Sequence, residues 1–236
     1  MFPSIWLRWL LTCIIVTCFL NVPGWSQESL QKDRWGIGIL TRYNVPLYNF
    51  FDRFDGGPKL GLKFSYVKNS VTYDVSCWSS KYSQGNIEDA EFQWVYDGNY
   101  YPSPNASSEI SFIGVIANMD TPFRFRLGPL TPFWSIGSGF IYYKHEIKNM
   151  VFPGQGKPPL DFNFTYSPDL EKRTSFSVNF GLGVLYEISP RLRLALNCKY
   201  YIIFGYLRPM ESWLMEKVSP LQSLDVGLDL TYFFSQ

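Results

Sequence analysis

The most regular feature of the chain is an alternation of bulky apolar residues with small or polar ones. At the carboxyl end Leu224, Val226, Leu228, Leu230, Tyr232 and Phe234 alternate with Ser223, Asp225, Gly227, Asp229 and Thr231. Residues 191–202 set Leu192, Leu194, Leu196, Cys198, Tyr200 and Ile202 against Arg191, Arg193, Ala195, Asn197 and Lys199, and Phe176 to Tyr186 follow the same rule against Ser175, Ser177, Asn179, Gly181 and Gly183. Period two is the spacing of a strand with two unlike faces. The pattern recurs, less strictly, over residues 35–43, 58–67, 71–82, 107–125 and 131–146, which predicts eight strands.

The segments between them fall into two alternating classes. Residues 44–57, 83–106, 147–171 and 205–221 are long, polar and rich in Pro, Gly, Asn and Asp. Residues 68–70, 126–130 and 188–190 are tight turns containing Lys68-Asn69-Ser70, Gly128-Pro129 and Ser189-Pro190. Short turns at one end and long loops at the other describe a closed antiparallel up-and-down barrel with both termini on the short-turn side. This is the asymmetry of transmembrane β-barrels, with short periplasmic turns and long external loops.

Composition narrows the picture. The chain has 236 residues, of which Tyr 16, Phe 20 and Trp 8 give an unusual aromatic share of 19%. Amphipathic rings gather where a protein crosses a membrane interface. Lys+Arg 21 against Asp+Glu 20 leaves no cationic surplus, which excludes a nucleic-acid partner. Residues 1–26 carry one charge, Arg8, then an apolar run to Leu20, then small residues at Gly24 and Ser26. They are expected to be a signal peptide, leaving residues 27–236 as the barrel domain. Past the leader no stretch approaches the roughly 20 apolar residues of a spanning helix, so a membrane location implies a barrel. Cys77 and Cys198, the two cysteines outside the leader, are expected to be unpaired.

With the bulky face outward, Trp35, Tyr66, Tyr73, Tyr186, Tyr232 and Phe234 fall at the short-turn rim as an aromatic girdle. Tyr43, Tyr82, Tyr142 and Phe204 fall at the opposite rim. The inward face then carries Arg42, Lys63, Asp74, Glu187, Arg191, Arg193, Lys199, Asp225 and Asp229. An eight-stranded barrel is wide enough only for side chains to fill its interior, and unpaired buried charge is costly. These residues are therefore expected to pair in a plugged, salt-bridged lumen without an open pore.

Residues Thr131-Pro-Phe-Trp-Ser-Ile-Gly-Ser-Gly-Phe-Ile-Tyr142, with central Gly137 and Gly139, resemble a strand common in the small eight-stranded outer-membrane barrels of the OmpX and OmpA-domain type. The closing strand resembles the carboxy-terminal signal of that family, although Phe234 is followed by Ser235 and Gln236 where the usual signal ends on the aromatic. The resemblance is one of layout across the whole mature chain. It implies the bacterial outer membrane, contact with lipid and lipopolysaccharide, insertion by the barrel-assembly machinery, and loops open to a surface partner. It implies no cofactor.

Segment 107–125 fits least well. Its apolar parity shifts between Ile110/Phe112 and Phe123/Phe125, for which a β-bulge is the favoured explanation. The alternative makes 118–121 a turn and recruits residues 91–96 as a strand, giving ten strands.

Candidate chemistry is sparse. The single histidine, His145, is expected to be a solvated rim residue. An enzyme reading would use it as general base in a lipid A hydrolase or acyltransferase, yet no Ser-His-acid spacing supports one, and Ser175 and Glu146 are arbitrary partners. Loop acids Asp52, Asp55, Glu88, Asp89, Asp97 and Asp169 are scattered and make no metal set. Exposed aromatics in loop 44–57 (Tyr48, Phe50, Phe51 and Phe54, beside the apolar Leu47) and loop 83–106 (Phe92, Trp94, Tyr96, Tyr100, Tyr101) suit either recognition or packing on one another. A third reading inverts the alternation into a soluble lipocalin-like barrel with its bulky face around a ligand.

Overall fold

The structure is a computed structural model that describes residues 33–82, 91–166, 169–209 and 217–234. The expected signal peptide lies outside them, as do the loop acids Glu88 and Asp89 and the final Ser235 and Gln236.

Eight long strands close into one antiparallel barrel. The first three are β1 (Arg34–Pro46), β2 (Gly57–Lys68) and β3 (Val71–Tyr82). β4 (Glu91–Gln93) and β5 (Tyr100–Pro102) form a separate hairpin in the second long loop. The wall then continues with β6 (Ser107–Pro122), β7 (Leu130–Lys148), β8 (Asp169–Ser189), β9 (Leu192–Ile203) and β10 (Leu221–Phe233). Wall strands that follow one another along the chain are neighbours in the ring, and β1 closes it by pairing with β10. The residues recruited by the ten-strand alternative thus include a real strand, but it lies outside the wall, because Asn118 to Thr121 stay in β6 and leave no gap to fill.

The turns follow local chemistry. β2 and β3 are joined by Asn69 and Ser70, both at positive φ (50° and 68°), the left-handed pair whose twist matches a two-residue hairpin. In the turn after β8, the Ser189 hydroxyl accepts hydrogen bonds from the Arg191 and Leu192 amides. The turn after β6 places Gly128 at φ 62°.

β6 contains no bulge. It pairs with β3 in one register from Tyr82↔Ile110 to Thr72↔Asp120, and the register shift in the wall lies instead between Glu187 and Ser189 of β8. The apolar parity of β6 looks broken because both its faces are apolar near the loops. Ile110, Phe112 and Ile116 point inward and are buried, while Ile113 and Val115 point outward. Phe123 and Phe125 belong to the turn that follows.

Strand length is uneven. A tilted transmembrane strand needs roughly 9–11 residues. β1, β2, β3, β9 and β10 run to 12 or 13 residues, whereas β7 has 19 and β8 has 21. The β7–β8 hairpin therefore stands clear of the apolar belt on the long-loop side.

Candidate functional site: the lumen and the external loops

The outer face of the wall is apolar. Ile39, Leu60, Leu62, Phe140, Phe180 and Leu182 are each more than half exposed in the isolated chain. Side chains at the two ends of this belt are aromatic. Trp35, Tyr73, Tyr186, Tyr232 and Phe234 are exposed near the short turns, where Tyr66 also lies, stacked on Trp35 and donating to Asp33 at 2.6 Å. Tyr43, Tyr142 and Phe204 are exposed near the long loops. Tyr82 is not a rim residue: it points inward at 2% exposure, because nine residues separate it from Tyr73 and an odd spacing reverses the face. Cys77 and Cys198 are unpaired and face outward.

The inner face has two tiers. The lower one, toward the short turns, is ionic. Arg42 binds Asp229 through two nitrogens at 2.8–3.2 Å, and Lys63 reaches the same carboxylate at 3.3 Å. Lys59 bonds Asp225 at 2.5 Å. Lys199 lies 3.6 Å from Asp120, which also accepts from Ser135, and Asp74 accepts from Asn118 at 3.1 Å. Four cations thus face four carboxylates, all buried. Charges taken out of water persist only when matched and hydrogen-bonded, and the bidentate arginine–carboxylate fork is the strongest such arrangement.

Two of the nine residues expected in the lumen lie elsewhere. Arg191 is exposed in the turn, because β9 begins at Leu192 and the strand parity does not extend to it. Glu187 sits at the short-turn end of the barrel with its side chain 40% exposed, bound by Arg34 at 2.8 Å and Arg193 at 2.7 Å. Both guanidinium groups stack on the Phe233 ring. Lys59, Asp120 and Arg34 join the inward charges without having been expected there. Lys59 shares the parity of Lys63 four residues on, so the sequence does carry a signal for it. Asp120 is hidden by the parity shift of its strand, which a bulge would have turned outward.

The upper tier is aromatic. Tyr82, Phe112 and Tyr143 from the wall meet Phe50 and Phe54, which loop 47–56 folds into the barrel mouth at 1% and 0% exposure. A 3₁₀ turn, Tyr48–Phe50, aims these rings inward and leaves Tyr48 and Phe51 outside. Below them the Trp78 ring lies where a Cβ on Gly114 would be, at about 2.5 Å, so that position admits only glycine. Gly183 makes the same room for Phe133, in keeping with glycine relieving crowding inside the wall. Lys59 joins the tiers: its ammonium bonds Asp225 and lies 3.4 Å from the Trp78 ring and 4.1 Å from that of Tyr201.

His145 is buried at 5%, not solvated, because β7 turns it inward above the plug. Its Nε2 lies 2.9 Å from the Ser108 hydroxyl, and its ring meets Phe54 edge-on. Ser108, itself 1% exposed, carries no signal in the sequence; it sits 37 residues from His145 and meets it only across strands β6 and β7.

The loop aromatics divide. Phe92 and Trp94 are buried against Ala106, Ile147, Met150 and Val151. Trp94 donates to the Gln155 carbonyl at 2.7 Å, and the Val95 amide to that of Pro153 at 3.0 Å, tying the second loop to the third. Tyr96, Tyr100, Phe164 and Tyr166 remain on the surface of this small platform. Desolvation is the largest single influence on Asp97 and opposes its charge, but the bonds it accepts from Tyr101 and Asn99 together outweigh it and hold the carboxyl below the ordinary range.

No family model and no curated protein matches the sequence. Solved structures do. A major outer membrane protein from Thermus thermophilus superposes with a TM-score of 0.51 at 12% identity, over 84% of this chain and 99% of that one. The fold is that of a bacterial outer-membrane β-barrel. Neisserial surface protein A (TM-score 0.45, 13% identity, 86% of this chain and 97% of that one) and the Escherichia coli outer membrane protease OmpT (0.41, 6%, 86% and 96%) also match. A lipocalin-like reading is overturned, because the bulky face meets the outside and the charges meet the lumen.

Proposed function

We propose that the protein is a non-enzymatic outer-membrane barrel whose interior is closed to solutes and whose external loops form a folded surface for contact with lipopolysaccharide or a partner at the cell surface. The observation that carries this reading is the filled lumen, four matched cations and carboxylates beneath a plug of five aromatic rings. No cofactor enters it. The barrel-assembly machinery would insert the chain through β10. Planar-bilayer recordings of the refolded protein test the closed interior: baseline conductance is expected, and a stable open channel would overturn it.

The contact between Ser108 and His145 supports a second reading, a lipid A hydrolase or acyltransferase with the histidine as base and the serine as nucleophile. Against it stands the burial of both groups. Mass spectrometry of lipid A from cells with and without the gene separates the two readings, since unchanged acylation ends the second.

A further inference from the structure

Just above the outer aromatic rim, one row of the wall is cationic. Lys81 of β3 pairs in register with Ser111 of β6, Ser111 with Lys144 of β7, and Lys144 with Lys172 of β8. All three lysines lie on the outer face, which alternates with the buried Ser80, Tyr143 and His145 and, on β8, with Ser175 and Ser177. The row immediately below holds Ser79, Ile113, Tyr142 and Thr174, the last of the girdle. Two residues along a strand are about 6.6 Å, so these ammonium groups stand at the level of lipid headgroups rather than acyl chains.

Lys144 and Lys172 are direct cross-strand partners, a placement that repels and destabilises when nothing lies between them. Nearby acids relieve only part of the charge. Glu109 pairs with Lys81 at 2.8 Å, and Glu146 is shared between Lys144 at 3.5 Å and Lys148 at 3.3 Å. Lys172 makes no ion pair among the described residues. Four lysines therefore face two glutamates, with the excess centred on the Lys144–Lys172 pair.

We propose that this row binds the phosphorylated headgroup of lipid A in the outer leaflet, with one phosphate between Lys144 and Lys172 and a second toward Lys81 and Ser111. The row crosses four strands, about 14 Å, a span that suits a disaccharide with a phosphate at each end better than a headgroup with a single phosphate. Tyr142, Phe140 and Phe176, directly beneath, would lie along the first carbons of its acyl chains.

The proposal rests on the outer-membrane reading, and the experiment separates the two. The refolded protein in detergent is titrated with diphosphoryl lipid A, monophosphoryl lipid A and phosphatidylglycerol, and retained lipid is counted by native mass spectrometry. Diphosphoryl lipid A should be retained most strongly. The double variant Lys144→Gln/Lys172→Gln should bind it about 30-fold more weakly, while Lys68→Gln/Arg191→Gln at the opposite rim should bind as the unaltered protein does. Heat-modifiable gel migration reports folding of each variant. A heat-modifiable double variant with undiminished binding, or equal retention of phosphatidylglycerol, overturns the site alone. A protein that shows no heat-modifiable form and leaves membranes in carbonate without detergent overturns the membrane reading and the site with it.

Discussion

Toward the short turns the wall directs Arg42, Lys59, Lys63 and Lys199 inward against Asp74, Asp120, Asp225 and Asp229; toward the long loops it directs Tyr82, Phe112 and Tyr143 inward against Phe50 and Phe54. The two tiers fill the same narrow cylinder by different means. Every member of the ionic tier comes from a strand, so its geometry is set by register and its partners are fixed by direction. The aromatic tier needs a loop to complete it, and its contacts are short-ranged and without fixed direction. Losing one partner should therefore harm the ionic tier more than losing one ring harms the plug, because a stranded charge cannot be repacked.

The largest effect is expected from Asp229→Ala, which leaves Arg42 and Lys63 without their shared carboxylate. Urea unfolding of the refolded barrel should show a loss of about 3–5 kcal/mol. A loss under about 1 kcal/mol would mean that water already solvates this tier and would erase the contrast. Phe50→Ala should cost about 3 kcal/mol through the cavity left among Phe54, Tyr82 and Phe112, and it should leave the ionic tier intact. On the outer face, Leu62→Lys should cost about 2–3 kcal/mol in a bilayer and much less in a detergent that admits water around the belt. Replacing both members of one pair, Lys59→Met with Asp225→Leu, should change stability by no more than about 1 kcal/mol, because no charge is left behind. Comparing that double variant with each single one measures the coupling directly.

The smallest effect belongs to the loop platform. The Asp97 carboxyl is held below its ordinary value by Tyr101 and Asn99, so its contribution to the β4–β5 hairpin is complete above the unfolded value of about 3.9 and fades as pH falls through the lower folded value. Amide exchange at Asn99 should accelerate in that acid window, and Asp97→Asn should remove the pH dependence while the barrel stays unaffected.

Most of the barrel is legible in the sequence because period-two alternation is a local property. Leu224 to Phe234 and Leu192 to Ile202 give each strand its face without reference to any neighbour. The same parity places Arg42, Lys63, Asp74, Arg193, Lys199, Asp225 and Asp229 on the inner side. Parity fails where a residue leaves its strand, as Arg191 does, and where both faces become apolar, as in β6. There Ile110 and Phe112 resemble lipid-facing residues until Phe50 and Phe54 are known to lie against them. Tyr82 misleads through its type, since a tyrosine near a rim suggests a girdle although its spacing from Tyr73 puts it inside. Ser108 carries no local signal at all.

The sequence by itself determined that the chain would form a closed up-and-down barrel and which side of most of its strands would meet lipid, while the choice between eight wall strands and ten waited on the register of β6. Alternation and turn chemistry act over two to four residues and need no partner to be expressed. Tertiary structure alone decided which carboxylate each lumen cation would find, that loop 47–56 would fold inward as a plug, and that Lys144 and Lys172 would stand side by side above the girdle. Those outcomes depend on the register between strands far apart in sequence, and register is settled only when the barrel closes.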